Sequence, residues 1–168
     1  MDKSRRIIYV QIVSLANYIF KEDLMGANSL FNQFTAMYRP YIKQLQPIFD
    51  EFNLYSAQWL ILKDIAMNGP TTLVQISKRR AIEKPTTRKI LKVLSEKSLL
   101  HIEQGSDKRE KILSLSPEGQ ELYREILHRI EQVQNDILQN VAISEEQIKT
   151  TVQTMELIHE SIIGMEDN

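Results

Sequence analysis

A chain of 168 residues, 42% hydrophobic and 26% charged, has the make-up of a single domain or a compact domain with helical extensions. Its formal charge is −1 and it has no cysteine, which excludes disulfide frameworks, cysteine zinc sites and thiol redox sensing. Five glycines and five prolines favour long helices over an all-β fold, and His101, His128 and His159 show no paired spacing, so neither a metal site nor a cofactor is expected.

The first 25 residues place basic side chains ahead of an apolar run, as a signal peptide does. Gln11, Ser14 and Asn17 interrupt that run, no small-residue cleavage site follows, and it is too short to span a membrane. A cytoplasmic protein without a membrane partner is expected. Ile8, Ile12, Leu15 and Ile19 share one helical face, which predicts an amphipathic extension over 1–27, although "IIYVQIV" also has strand propensity. The next helix spans 28 to 52, with a stripe of Phe31, Phe34, Tyr38, Tyr41, Leu45, Ile48 and Phe52. Pro40 and Pro47 are expected to kink or divide it.

Ser56 is the candidate N-cap of a helix with Trp59, Leu60, Leu62 and Ile65 on its inner face, ending at "NGP". "TTLVQISKRR" reads as a short threonine-capped helix with Leu73 and Ile76 inward. After a turn around Ala81, "EKPTTRKILKVLSEKS" carries Pro85 in its first turn, with Ile90, Leu91 and Leu94 inward. "LLHI" and "ILSL" then read as strands, Leu100 and Ile102 opposite Leu113 and Leu115, with "EQGSDKREK" between them. Ser116, Pro117 and Glu118 start a helix running to about Asn140 with a stripe of Leu122, Ile126, Ile130, Val133 and Ile137. "SEEQ" at Ser144 is a capping box for a last helix striped by Ile148, Val152, Met155, Ile158 and Ile162. The terminal helices carry more apolar face than a small three-helix core covers, so a homodimer is the economical reading.

The small net charge hides an asymmetry. Residues 71 to 111 hold eleven cations and five acids, a net +6, inside an otherwise acidic chain. That suggests a module for a polyanion. A helix entering a DNA major groove needs short polar residues near its start and cations on its outer face. Residues 84 to 97 supply them: Lys84, Thr86, Thr87, Arg88, Lys89 and Lys92 are the candidate DNA contacts. Taken alone, the segment reads equally well as an amphipathic helix with a solvated basic face. The hairpin that follows can reach the neighbouring minor groove, where Arg109 would enter the negative potential. Asp107 would pin the arginine or a nearby backbone group, while Lys108 and Lys111 would contact phosphates.

With these residues in view, the run from Leu54 to Leu122 resembles the winged helix-turn-helix of the MarR family of transcriptional regulators. The resemblance rests on "LYSAQWLIL", on "KPTTRKILKVL" as recognition helix, on "DKR" in the wing and on "LSPEGQEL" after it. The family's aspartate–x–arginine pattern falls on Asp107 and Arg109, and its leucine–threonine/serine–x–x–glycine signature on Leu115, Ser116 and Gly119. It covers about residues 28 to 163. The resemblance implies a mainly α (α+β) fold: a winged helix-turn-helix domain over 56–116, dimerisation helices over 28–55 and 117–165, and the extension over 1–27. Three features depart from the family. Ser98 stands where it usually has glycine, predicting a recognition helix that ends without a left-handed glycine cap. Arg88 replaces a threonine, and the N-terminal lead-in is long.

The resemblance further implies a homodimeric repressor of a pseudo-palindromic operator in double-stranded DNA, released by a small aromatic or phenolic effector. Met37, Tyr38, Tyr41, Trp59 and Met67 are the candidate pocket residues; plain core packing is the alternative reading for each. An enzyme is not expected, because the sequence has no glycine-rich phosphate loop, nucleophile motif or histidine pair. A winged-helix protein–protein adaptor is the competing class, which the +6 segment and the Asp107–Arg109 pair argue against. A DNA-binding regulator without an effector remains open.

Overall fold

The computed structural model describes residues 26–107 and 109–166. Among them the order is α1 (Ala27–Glu51), α2 (Ser56–Asn68), α3 (Leu73–Arg80), α4 (Lys84–Glu96), β1 (Leu100–Gln104), β2 (Lys111–Leu115), α5 (Pro117–Gln139) and α6 (Glu145–Glu166). The fold is thus mainly helical, with one small sheet. The apolar stripe expected before Met25 lies outside the described residues, as does Lys108. The chain divides into two compact units, one through Ser56 and the other from Ala57 onward.

In the first unit α1 is not divided. It runs unbroken through Pro40 and Pro47. Each proline removes one N–H and frees the carbonyl four residues earlier, at Ala36 and Lys43. All four residues are exposed, so water can satisfy the freed groups. Near the end of the helix Leu45, Ile48 and Phe49 are buried, whereas Leu30, Phe31, Phe34, Met37 and Tyr38 are exposed. Asn53 turns the chain at φ 51°, and the Leu54 N–H donates to the Phe49 carbonyl at 2.9 Å.

The second unit has its core where α2 contributes Trp59, Ile61, Leu62 and Ile65, all buried. α3 begins in a capping box: the Gln75 N–H donates to Thr72 Oγ1, and the Thr72 N–H to Gln75 Oε1. Ile76 below it is fully buried. Ala81 leaves α3 in the left-handed region at φ 49°. Leu91 and Leu94 bury the inner face of α4.

The strands pair antiparallel, with Leu100 opposite Leu115 and Ile102 opposite Leu113. Thr71, just before α3, bridges to Leu113 through both of its backbone groups, at 3.0 and 2.7 Å. The hairpin is therefore fastened to the start of the helix-turn-helix at the middle of β2. α5 buries Ile126 and Ile130, then exposes Ile137 and Leu138. Ser144 forms a capping box with Gln147 ahead of α6. Along α6, Val152, Met155, Leu157 and Ile162 are exposed.

Candidate nucleic-acid interface

α3 and α4 form a helix-turn-helix joined by a buried pair of hydroxyls. Ser77 Oγ donates to Thr87 Oγ1 at 3.0 Å, and Thr87 Oγ1 donates to the Glu83 carbonyl at 3.2 Å. Thr87 is fully buried. It does not sit on the outer face with the predicted DNA contacts, because 87, 91 and 94 form one helical stripe with Leu91 and Leu94. Its hydroxyl is satisfied inside, as a buried polar group must be. Lys84, Thr86, Arg88, Lys89 and Lys92 all lie on the exposed face of α4. Lys92 rests 3.6 Å from Glu96 one turn away, an exposed pair that solvent screens.

α4 ends in a Schellman arrangement. Ser98 takes φ 59°, its N–H donates to the Ser95 carbonyl at 2.9 Å, and the Leu99 N–H reaches Leu94 at 3.0 Å. The left-handed turn expected to be missing without glycine is present, with serine bearing it. Two contacts hold it there: Ser116 Oγ donates to the Ser98 carbonyl at 2.7 Å, and the Ser116 N–H donates to Leu99 at 3.1 Å. Ser116 Oγ also accepts from the Gly119 N–H at 2.9 Å, capping α5. Gly119 lies so near the Leu99 carbonyl that a Cβ would fall on it. The "LSPEG" signature is therefore a clasp between the exit of α4 and the entry of α5.

At the hairpin tip the Gly105 N–H donates to Glu110 at 2.9 Å, and the Glu110 N–H to Asp107 at 2.9 Å. Asp107 Oδ1 accepts from the Arg109 backbone N–H at 2.9 Å. Of the two roles the sequence left open for Asp107, pinning a backbone group is the one seen. Arg109 and Lys111 are exposed. A groove of about 810 Å³ runs between α4 and the hairpin, with Arg88, Leu91 and Lys92 on one wall and Arg109, Lys111 and Leu113 on the other. Asp107, Glu96 and Glu110 also line it.

Residues 54–119 match a winged helix DNA-binding domain. A helix-turn-helix-type transcriptional regulator of Staphylococcus aureus is 45% identical over 140 residues, 83% of this chain and 96% of the relative. The native structure of Staphylococcus aureus MarR is also 45% identical, superposing with a TM-score of 0.78 over 83% of this chain and 99% of that one. The chain belongs to the MarR family. It is a transcriptional regulator with a winged-helix DNA-binding domain, not an enzyme. A further structure of Staphylococcus aureus MarR, in complex with salicylate and kanamycin, matches with a TM-score of 0.75 at 45% identity, over 82% of this chain and 93% of that one. Among the described residues no helix of this MarR-family regulator is long and apolar enough to cross a membrane.

The five candidate pocket residues of this MarR-family chain occupy different environments. Met37 and Tyr38 are exposed on α1, and Tyr41 is half-buried. Trp59 is buried in the second unit and stacks on Tyr123, centroids 5.5 Å apart and planes at 19°. Met67, two turns further along α2, is exposed. Sequence reasoning missed Arg79, whose guanidinium donates to both oxygens of the buried Asp64, at 3.1 and 2.6 Å, and to Thr71 Oγ1 at 2.8 Å. The available signal was the run "SKRR", which contributes three of the basic residues at the end of α3.

Proposed function

We propose that this regulator acts as a homodimer on a pseudo-palindromic operator and represses until a small aromatic ligand releases it. The observation that carries the DNA reading is the groove in which Arg88 and Lys92 of α4 face Arg109 and Lys111 of the hairpin. In this reading α4 enters the major groove with Thr86, Arg88 and Lys89, while Lys84 and Lys92 take phosphates. Arg109 enters the adjacent minor groove on a turn that Asp107 holds, flanked by Lys108 and Lys111 on the backbone.

Dimerisation is supported by the exposed apolar side chains of α1, α5 and α6, Phe31, Phe34, Ile137, Leu138, Val152 and Leu157 among them. A surface so apolar buries against a second copy in a closed two-fold arrangement. The effector reading is supported by the salicylate complex of the 45% identical Staphylococcus aureus MarR. Met37, Tyr38, Tyr41, Trp59 and Met67 are the residues proposed to meet the ligand. Selection of bound fragments from genomic DNA, with and without salicylate, tests the whole reading. Two half-sites about one helical turn apart are expected, with recovery lost when salicylate is added. A single unpaired half-site would defeat the dimer, and salicylate-independent recovery would defeat this effector.

A further inference from the structure

The hairpin is tied to the rest of the DNA-binding unit at two levels. At its root the Ser116 N–H donates to the Leu99 carbonyl at 3.1 Å. Midway along β2, both backbone groups of Leu113 bond to Thr71, at 3.0 and 2.7 Å. A hairpin held at its root alone is free to pivot, and the second tie removes that freedom. Arg109 stands four residues beyond Leu113, up to roughly 13 Å along an extended chain. A pivot of about 10° at Leu113 would carry the arginine about 2 Å, enough to break a hydrogen bond.

Thr71 is itself held by a side chain from the far end of α3. Arg79 Nη2 donates to Thr71 Oγ1 at 2.8 Å, and the same guanidinium donates to both oxygens of Asp64 on α2, at 3.1 and 2.6 Å. Thr71 Oγ1 donates in turn to Gln75 Oε1 at 3.1 Å. Residues 71, 75 and 79 follow one another at spacings of four, so they share one face, along which a long helical side chain leans toward the helix start. Asp64 and Thr71 are both buried. A buried carboxylate must keep its cation, so the guanidinium is fixed in place by Asp64 and its further N–H is aimed at Thr71. The N–H, the carbonyl and the hydroxyl of Thr71 are thus all engaged, two of them by the hairpin and one by Arg79.

We propose that Arg79 is a positioning residue for DNA binding, which sets the tilt of the hairpin through Thr71 and Leu113. The role rests on the reading in which Arg109 enters the minor groove, and it supplies what holds the arginine at the right height. An ion pair that only joined α2 to α3 would need the two bonds to Asp64 and no branch to the residue that carries the hairpin. Lysine can keep the charge beside Asp64, but its ammonium lacks the planar fork that spans Asp64 and Thr71 together.

The experiment is a double-mutant cycle on DNA affinity in the full chain, with one duplex recovered by the genomic selection. Arg109→Ala should weaken binding by about tenfold or more in the parent protein, but by less than about threefold beside Arg79→Lys. Lys92→Ala, on α4, should cost the same in both backgrounds, which a general loosening of the domain would not produce. Without DNA, the Leu113 amide should exchange its hydrogen about tenfold faster or more in Arg79→Lys, with the Leu94 amide of α4 unchanged. Thr71→Val deletes the hydroxyl and keeps the backbone tie, and it carries the same expectations if Arg79→Lys does not fold. An Arg109→Ala loss of equal size in both backgrounds, or unchanged exchange at Leu113, would overturn the positioning role and leave the minor-groove reading standing. A Lys92→Ala loss that shrinks as well would make Arg79 a stabiliser of the whole domain and overturn the role too. Parental affinity in Arg109→Ala alone would overturn the minor-groove reading, and this role with it.

Discussion

The hydroxyl of Ser77 on α3 donates to that of Thr87 on α4 across 3.0 Å in the buried seam of the helix-turn-helix. This pair fixes how α4 is presented. Thr87→Val keeps the shape but leaves the Ser77 hydroxyl buried without its acceptor, which should cost about 1–3 kcal/mol of stability. Adding Ser77→Ala removes the orphaned donor and should recover most of that loss. Urea unfolding of the two single variants and the double variant closes the cycle. A double variant as unstable as the sum of the singles would show that the hydroxyls do not act as a pair.

Ser98 carries a backbone conformation that glycine adopts more readily, at φ 59°. Its side chain makes none of the contacts that hold the turn; its N–H and carbonyl make them. Ser98→Gly should therefore relieve strain, partly offset by the greater freedom of glycine in the unfolded chain. A net gain of about 0.5–1 kcal/mol is expected, seen as a higher melting temperature with unchanged DNA affinity. A lower melting temperature would mean that the serine side chain contributes more than the strain it brings.

These two residues also show what the sequence made legible and what it hid. Helix periods and caps are local signals: a threonine, Thr72, caps α3, Ser116 caps α5 ahead of Pro117, and Ser144 caps α6 through the spacing of "SEEQ". The strand register followed from Leu100, Ile102, Leu113 and Leu115. Thr87 is polar yet lies inside, because its spacing to Leu91 and Leu94 puts it on the buried stripe and position outweighs polarity. The left-handed turn at Ser98 carries no composition signal, since tertiary contacts from Ser116 hold it. The Asp64–Arg79 pair joins residues 15 apart, which no helical or strand period connects. Local chemistry was readable; pairings made by packing were not.

Arg109 sits at the hairpin tip with its backbone N–H held by Asp107 at 2.9 Å. Arg109→Ala should weaken operator binding by about 1–3 kcal/mol without changing the sedimentation of the free protein. Asp107→Ala frees the turn and should cause a smaller loss in the same direction, because the guanidinium remains but is less well oriented. Fluorescence anisotropy with one operator duplex compares them. Wild-type affinity in Arg109→Ala would remove the hairpin from the interface.

Lys92 tests the other wall of the groove. Its exposed partner Glu96, 3.6 Å away, holds it too weakly to prevent a phosphate contact. Lys92→Ala should lower affinity on all sequences alike and reduce the slope of log K against log salt by about one. Glu96→Gln should raise affinity slightly by freeing the lysine. An unaltered slope in Lys92→Ala would place this side chain off the DNA.

Gly119 closes the clasp behind the recognition helix. A methyl there would fall on the Leu99 carbonyl, a backbone atom that cannot rotate aside. The first turn of α5 would have to move away, stretching both the 2.7 Å bond from Ser116 to Ser98 and the 2.9 Å cap to residue 119. Gly119→Ala should therefore cost about 2–4 kcal/mol, although alanine is the better helix former by about 1 kcal/mol. Because the clasp also sets where α4 ends, DNA affinity should fall even in the fraction that remains folded. Ser116→Ala removes the cap and the bond to Ser98 without a clash, and should cost less, about 1–2 kcal/mol. Thermal unfolding orders the two variants, and Ser116→Ala proving the more damaging would show that the hydroxyl, not the close approach, holds the helices together.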